Sequence, residues 1–344
     1  MTLVSPFPHP SARPKIPRRV VALGGGTGLP AVLRGLRETL RVEDRNALTA
    51  IVTMADDGGS SGRLRRSMGA PPPGDVRNCL VALSEDEELL AGLFQHRYEG
   101  GRELGGHSVG NLILVALAEQ TGSFLKAVEV SSKVLRIAGR ILPATQDDVR
   151  LKAVLEDGTE VVGETRIAEC GKRIRTISLI PDTACPTDGV VEAILQADLV
   201  VLGPGSLYTS VIPNLLVRGV AGGLQSTPAT VVLVANLVSE RNEAAGLDMS
   251  DHLTVIEEHV GRGIVDAVLV NDGPIESEVL ARYKAEGASP LHWPQDGTHD
   301  VRVVRRNLLG PGPKLRHDPT ATAEGLLAAW DAVNSTCGRG QAEP

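Results

Sequence analysis

The sequence predicts an α/β fold, built on a doubly wound, mostly parallel sheet that carries a small antiparallel β insertion. Apolar, strand-like runs recur along the chain with helical patterns between most of them, as in a parallel sheet. Several runs stop at glycine, aspartate or asparagine, and one stretch changes to an alternating pattern. The strand-like runs are residues 20–23, 48–55, 197–202, 230–235 and 265–270.

The first strand-like run leads directly into a glycine-rich turn that precedes a helical pattern. Backbone amides in such a turn can approach a phosphate at the positive end of a helix, because no side chain blocks them. A dinucleotide-binding fingerprint would place its third glycine at Leu29, and the Lys-Ser/Thr pair of a Walker A loop is absent. We predict a phosphate cradle of another kind; the alternative is a tight turn with no ligand. The candidate residues are Gly24, Gly25, Gly26, Thr27 and Gly28.

The second run ends at two adjacent acids, Asp56 and Asp57. Neighbouring strands of a doubly wound sheet share their carboxyl edge, so both carboxylates can face the ligand of the glycine turn. They suit ribose hydroxyls or, together with substrate phosphates, Mg²⁺. The alternative is that one of them caps the following turn. Ser60 and Ser61, in the loop that follows, are further candidate ligand contacts.

A proline-rich stretch at residues 71–73 enters a third helix. Asp75 is expected at its N-cap, a position that aspartate favours. Arg77 and Asn78 then lie in the first turn, where each either reaches a ligand or faces water.

Residues 105–112 contain three glycines and are expected to form the start of another helix. His107 and Ser108 are expected there as exposed polar groups at a helix N-terminus, which attracts anions. The alternative is a structural cap. A nucleophilic Ser108 would need a base and an orienting acid, and the spacing shows no such triad.

The pattern changes between residues 149 and 180. Two alternating runs, 151–155 and 160–163, flank an Asp-Gly turn, which is a strong hairpin signal. Further strands are expected at 164–167 and 174–179. Together these segments predict a small antiparallel insertion within residues 145–182.

A second phosphate-type loop follows the most apolar strand-like run and opens a helix. Its candidate residues are Gly203, Gly205 and Ser206. Tyr208 either stacks on a ligand or covers the helix start. Two glycine loops at strand ends predict one extended ligand with two polar ends, or two ligands held together.

Composition limits the classes of protein. With 344 residues and 42% hydrophobic content, the chain can bury a full core, and aromatic residues make up only 2%. A formal net charge of −7 argues against nucleic-acid binding. The four cysteines lack metal-ligand spacing and are expected as free thiols in the cytoplasm, and no membrane span is expected. We predict a flexible arm (1–17), one domain (18–335) and a frayed tail (336–344).

Several motifs, in this order, resemble the YvcK family of CofD-like proteins, the gluconeogenesis factors. The resemblance covers roughly residues 20–329. The motifs read GGGTGL at 24–29, ADDGGSSGRLR at 55–65, PPGDVRN at 72–78, GHSVGNL at 106–112, which includes Asn111, and GPGSLYTSVIPNLL at 203–216.

The resemblance implies a Rossmann-like fold that binds a UDP-sugar such as UDP-N-acetylglucosamine. It also implies a regulatory role that links carbon use to cell-envelope growth and cell shape. A protein partner in cell-wall synthesis and a homo-oligomer are expected with it. The family's late contacts to the nucleotide sugar match Tyr283 and Arg316.

The alternative is a CofD-like, Mg²⁺-dependent transferase that moves a phospholactyl-type group from a nucleotide donor. One segment, 242–247, departs from the family because a threonine and an aromatic residue are missing from it, which makes a transferase that relies on this loop less favoured. An NAD-dependent oxidoreductase is disfavoured by the absent third glycine.

Overall fold

The structure is a computed structural model that describes residues 16–40, 47–85, 89–101, 103–240, 243–244, 246–294 and 299–337. The predicted arm is therefore described only at residues 16 and 17. Residues 338–344 of the predicted tail, and Asn242 and Ala245 of the departing loop, lie outside the described residues.

Strands of the described residues form two sheets. They are β1 (Val20–Gly24), β2 (Leu48–Val52), β3 (Arg140–Pro143), β4 (Arg150–Leu155), β5 (Glu160–Val162), β6 (Ile174–Ile180), β7 (Leu199–Leu202), β8 (Thr230–Val234), β9 (Ala267–Asn271) and β10 (Arg302–Arg306). Seven strands form a parallel sheet in the order β10-β9-β8-β7-β1-β2-β3. The other three form an antiparallel sheet in the order β5-β4-β6. The predicted fold class is confirmed.

Helices connect the parallel strands. They are α1 (Gly28–Leu40), α2 (Gly59–Met68), α3 (Gly74–Leu83), α4 (Leu90–Gln95), α5 (Val109–Thr121), α6 (Phe124–Val134), α7 (Glu164–Glu169), α8 (Val190–Leu195), α9 (Ile212–Leu215), α10 (Val220–Ser226), α11 (Met249–Val260), α12 (Ser277–Ala285) and α13 (Pro319–Cys337). A π-helical turn, Leu207–Val211, runs into α9. Among the described residues, no helix combines the length and apolar character that crossing a bilayer requires.

The five predicted strands correspond to β1, β2, β7, β8 and β9, whose residues are almost all buried. Aliphatic side chains dominate the core, as the low aromatic content requires. β3 and β10, the two edges of the sheet, lie outside the predicted strands. β3 is only four residues long and begins with an arginine, and β10 has three arginines among its five residues. Edge strands often carry charges, so their pattern differs from a buried strand.

The insertion is a three-stranded sheet with one short helix. The predicted hairpin is confirmed as β4 and β5. The strand predicted at 164–167 is wrong, because those residues begin α7. Gly163 ends β5 with a φ of 107°, and both the N–H and the hydroxyl of Thr165 donate to Asp57 Oδ1, at 2.9 and 2.8 Å. This tertiary contact holds the first turn of α7, and nothing in the local pattern announces it.

The strand order reverses at the centre of the parallel sheet. β1 pairs with β2 on one side and with β7 on the other. The chain adds β2 and β3 on the first side and later places β8 to β10 beyond β7. Ligands of open α/β sheets bind above such a reversal, at the carboxyl ends of the strands. Both predicted glycine loops lie there, since one follows β1 and the other follows β7.

Close helix packing beside this site depends on Gly35 in α1. A Cβ at Gly35 would overlap the backbone carbonyl of Pro319, where α13 begins. We expect Gly35→Ala to lower the free energy of unfolding by about 1–3 kcal/mol, because the two backbones must separate. Denaturant titration measures this change. The matched control is Gly222→Ala in α10, where a Cβ would meet nothing within 4 Å. The control should be neutral or slightly stabilising, and an equal loss in both variants would contradict the packing argument.

Candidate functional site

A cleft of about 750 Å³ opens above the carboxyl ends of β1, β7 and β8. Its walls come from the two glycine loops, the segment after β8, the first turn of α7 and the segment before α13. Seven of the predicted site residues line it: Gly26, Thr27, Gly28, Asn78, Gly205, Ser206 and Arg316. The remaining predicted residues lie behind these walls or support them.

The first glycine loop presents backbone amides at the start of α1. Gly26 has a φ of 63°, in the left-handed region that glycine adopts most readily. No backbone carbonyl of the described residues accepts a hydrogen bond from the N–H of Gly25, Gly26 or Thr27. A hydrogen bond from the Gly26 N–H instead stabilises the carboxylate of Asp75. Gly24 belongs to β1, and its carbonyl accepts from Thr53 N–H at 2.9 Å.

The second glycine loop packs against the first. A Cβ at Gly28 would overlap the carbonyl of Pro204, so only glycine lets the two loops approach this closely. Gly203 and Gly205 have φ angles of 73° and 158°. The side chain of Asn236 accepts from the Gly205 N–H at 3.0 Å and donates to the Gly205 carbonyl at 2.9 Å. This double contact fixes the loop backbone.

The helical turn after this loop is capped by Ser206, whose Oγ accepts from the Thr209 N–H. Tyr208 is buried, and its hydroxyl lies 3.4 Å from the Ile174 carbonyl in β6. Its ring meets His259 edge-on. Tyr208 therefore joins the main sheet to the insertion, and it is not among the residues that line the cleft.

Asp56 and Asp57 each use one oxygen to hold the backbone. Asp56 Oδ1 accepts from the Gly58 N–H at 2.8 Å, and Asp57 Oδ1 accepts from Thr165. Asp56 thus makes the turn-capping contact that the sequence left open as an alternative. Neither residue lines the cleft. Among the described residues, no group of three or more histidines, cysteines or acids is arranged to hold a metal ion.

Asp75 is not the N-cap of α3. Pro73 holds that position, and Asp75 is half-buried in the first turn. Its carboxylate faces the glycine loop, which local capping rules do not reveal. Burial and the neighbouring charge of Asp56 raise the pKa of Asp75 to about 6, against the opposing hydrogen bond from Gly26.

The expectation that His107 and Ser108 are exposed is wrong. Both are buried, because Gly110 lets α5 approach the backbone of Phe94, where a Cβ would lie 2.7 Å from the carbonyl oxygen. Ser108 caps α5, and its Oγ accepts from the Asn111 N–H. Burial lowers the pKa of His107, and nearby arginine charges lower it further.

Arg77 reaches neither solvent nor the cleft. Its guanidinium donates to Ser108 Oγ at 2.5 Å, Asn111 Oδ1 at 3.0 Å and Asn78 Oδ1 at 2.6 Å. This contact orients Asn78, whose side chain lines the cleft.

Two serines complete the polar layer behind the cleft. Ser60 Oγ lies 2.9 Å from His107 Nδ1 and accepts from Asn111 Nδ2 at 3.0 Å. Ser61 Oγ accepts from the Gly74 N–H at 3.1 Å. These residues join three helix starts into one polar layer.

Tyr283 and Arg316, the two predicted contacts nearest the C-terminus, differ in their location. Arg316 is exposed and lines the cleft. Tyr283 lies outside the lining, and its hydroxyl accepts from the Leu315 N–H at 3.1 Å. Next to Arg316, His317 Nε2 lies 3.0 Å from the Ala235 carbonyl, and burial lowers the His317 pKa to about 4. Tyr283 and His317 thus fix the segment that carries Arg316.

Three acids that were not among the predicted site residues also line the cleft: Glu164, Glu240 and Glu243. Burial, and then the charges of Asp56 and Asp57, raise the pKa of Glu164 to about 8. Burial also raises the pKa of Glu240 and of Glu243. Glu243 lies in the departing loop that the sequence singled out. Glu164 and Glu240 have no local motif, because the fold alone brings them to the cleft.

The raised pKa of Glu164 gives stability a pH dependence. A carboxyl with a raised native pKa binds its proton more tightly when folded, so its stabilising contribution is lost as the pH rises through about 8. We expect the free energy of unfolding to fall between about pH 7 and about pH 9, and to fall less in Glu164→Gln, by on the order of 1 kcal/mol. Denaturant titration at both pH values measures this difference. Glu119→Gln, at an exposed position of α5, should behave as wild type; the same fall in Glu164→Gln as in wild type would refute the assignment.

Comparisons with known proteins agree with this architecture. A family model described as 2-phospho-L-lactate transferase CofD matches residues 20–309. A UPF0052-family protein from Bacillus halodurans, known from a crystal structure, superposes with a TM-score of 0.86 at 44% identity, covering 90% of this chain and 99% of that one.

Two similar proteins carry the same name. The gluconeogenesis factor of Halalkalibacterium halodurans is 49% identical over 322 residues, which cover 93% of this chain and 98% of that protein. The gluconeogenesis factor of Bacillus subtilis is 45% identical over 312 residues, which cover 90% of this chain and 97% of that protein. The chain therefore belongs to the CofD family, in which it resembles the gluconeogenesis factors.

Proposed function

We propose that the chain binds a UDP-sugar of the UDP-N-acetylglucosamine type in the cleft between the two glycine loops. The observation that carries the proposal is the set of backbone amides at residues 25–27, which donate to no backbone carbonyl of the described residues and lie at the start of α1. Of the three, the Gly26 N–H donates to the carboxylate of Asp75. Such amides, aided by the helix dipole, bind phosphate groups. A diphosphate supplies that charge.

Size and charge support a nucleotide sugar. A volume of about 750 Å³ lies within the usual range for small-molecule and cofactor sites. Arg34 and Arg316 add two cations to the lining. Arginine suits phosphate groups because its planar fork can donate two parallel hydrogen bonds.

A regulatory role follows from this ligand and from the names of the relatives. A protein that senses a UDP-sugar can report the supply of envelope precursors to carbon metabolism, which agrees with relatives named gluconeogenesis factors. The proposal includes a cytoplasmic location, a homo-oligomer, a protein partner in cell-wall synthesis and an influence on cell shape.

Titration calorimetry with UDP-N-acetylglucosamine, with and without Mg²⁺, tests the proposal. We expect binding by wild type, and a loss of about 1.5–3 kcal/mol in Arg316→Ala, because a charged hydrogen bond to the ligand disappears. Arg302→Ala, at an exposed position where β10 begins, is the matched control and should bind as wild type. Absence of heat from wild type at millimolar ligand would refute the proposal.

A substitution of Tyr283 tests whether this residue stacks on the ligand or positions the segment that carries Arg316. Stacking on the uracil base would survive in Tyr283→Phe, whereas positioning of Leu315 through the hydroxyl would not. We expect Tyr283→Phe to lose about 1 kcal/mol of binding free energy, the usual worth of one hydrogen bond. Calorimetry of the two proteins side by side measures the loss, and full affinity in the variant would instead favour stacking.

A second candidate function is a CofD-like transferase, which the description of the matching family model favours. Asp56 and Asp57 each keep one carboxylate oxygen that no described donor contacts. Two carboxylates fit Mg²⁺ only where ligand phosphates supply further oxygens. The metal would stabilise charge on the leaving group.

The transferase candidate is tested by incubation with GDP- or UDP-linked donors, a flavin-type acceptor and Mg²⁺. Asp57→Asn removes the charge but retains an oxygen that can accept from Thr165. Product formed by wild type and lost in Asp57→Asn would establish the transferase. The absence of product across donors would leave the binding function alone.

A further inference from the structure

Three acids form one wall of the cleft, which we call the carboxyl wall: Glu164, Glu240 and Glu243. Glu164 begins α7 in the insertion, and the other two lie in the segment that follows β8. The first glycine loop and Arg34 also line the cleft. The cleft therefore contains phosphate-binding groups as well as carboxyls.

One carboxyl oxygen in the wall is left without a partner. Glu243 accepts from Ser206 Oγ and lies 3.4 Å from Thr209 Oγ1. The Glu240 carboxyl also accepts from Ser206 and from the Leu207 N–H, but its Oε2 is buried and makes no hydrogen bond to the described residues. A buried polar atom without a partner is unfavourable, so a ligand group that donates to this position is favoured.

The carboxyl wall does not suit a second anion. Its carboxyls already repel one another: the charge of Glu243 raises the pKa of Glu240, and acids on three elements raise that of Glu164. A phosphate or an activated acid placed here would add to this repulsion. Neutral hydroxyls suit it well, because they donate to an ionised carboxylate and also accept from a protonated carboxyl.

A divalent cation is the other chemistry that acids could serve. Within the described part of the chain, however, no three such side chains have a metal-binding arrangement. Glu243 is in addition engaged with two hydroxyls.

We propose that the carboxyl wall binds the hexose of the nucleotide sugar, with Glu240 Oε2 bonded to a sugar hydroxyl. This inference rests on the proposed function and adds the orientation of the nucleotide sugar within the cleft. The diphosphate lies at the start of α1, the hexose points toward Glu240, and the nucleoside points toward Arg316. Glu240 is then a specificity residue for an uncharged sugar.

Calorimetry with two probes, UDP and UDP-glucose, isolates the hexose contact. We expect Glu240→Ala to weaken UDP-glucose by about tenfold or more and to leave UDP within about twofold, because only the hexose loses its hydrogen bond to Glu240. Glu119→Ala, at an exposed position of α5, is the matched control and should bind both probes as wild type.

Each other outcome has a defined meaning. Equal losses for UDP and UDP-glucose would place the ribose on the wall and overturn the inference, and so would unchanged affinity for both. Wild type that binds neither probe would instead refute the proposed function.

A measurement on wild type needs no variant and covers the case in which Glu240→Ala fails to fold. UDP-glucuronate differs from UDP-glucose by a carboxylate on the hexose. We expect it to bind at least about tenfold more weakly, because that carboxylate would face the wall. Equal affinity for the two ligands would overturn the inference.

Discussion

The contact between the two glycine loops is the constraint on which the site depends. Gly28 packs against the carbonyl of Pro204, so the loop after β1 and the loop after β7 touch backbone to backbone. This contact lies where the strand order reverses. A side chain at residue 28 would separate the loops, and the amides of the first loop would then no longer share one cleft with Ser206. Asn236 adds a second restraint, because one amide group both donates to and accepts from Gly205.

Behind this contact, a layer of buried polar groups keeps the cleft in shape. Arg77 ties α3 to α5 through Ser108 and Asn111, and Ser60 extends the same network to α2. Buried polar groups are stable only when their hydrogen bonds are satisfied, so such a network holds its members in one arrangement. Many residues that look like ligand contacts in the sequence therefore lie one layer behind the cleft. Their glycine-rich and polar composition reflects close packing of helix starts.

The central strands, the hairpin and the two glycine loops could be predicted from the sequence, because each depends on a local signal of apolar runs or turn residues. The sequence was insufficient for β3, which has only four residues, for β10, whose three arginines obscure the strand pattern, and for α7, which depends on the contact between Asp57 and Thr165. The burial of His107 and Ser108 depends on the approach of α5 to Phe94, which no spacing rule contains. Glu164 and Glu240 come from segments far apart in the chain, so only the assembled fold shows that they share a wall.

The location of Glu164 on the insertion has an evolutionary consequence. The first glycine loop follows β1 of the main sheet, whereas this acid comes from the three-stranded insertion, which shares the hydrophobic core of the main sheet and contacts it further through Thr165 and Tyr208. Substitutions on the cleft side of the insertion can change one wall of the cleft while the glycine loops stay intact. Under the proposed function, this is a route by which relatives exchange the preferred sugar and retain the nucleotide site.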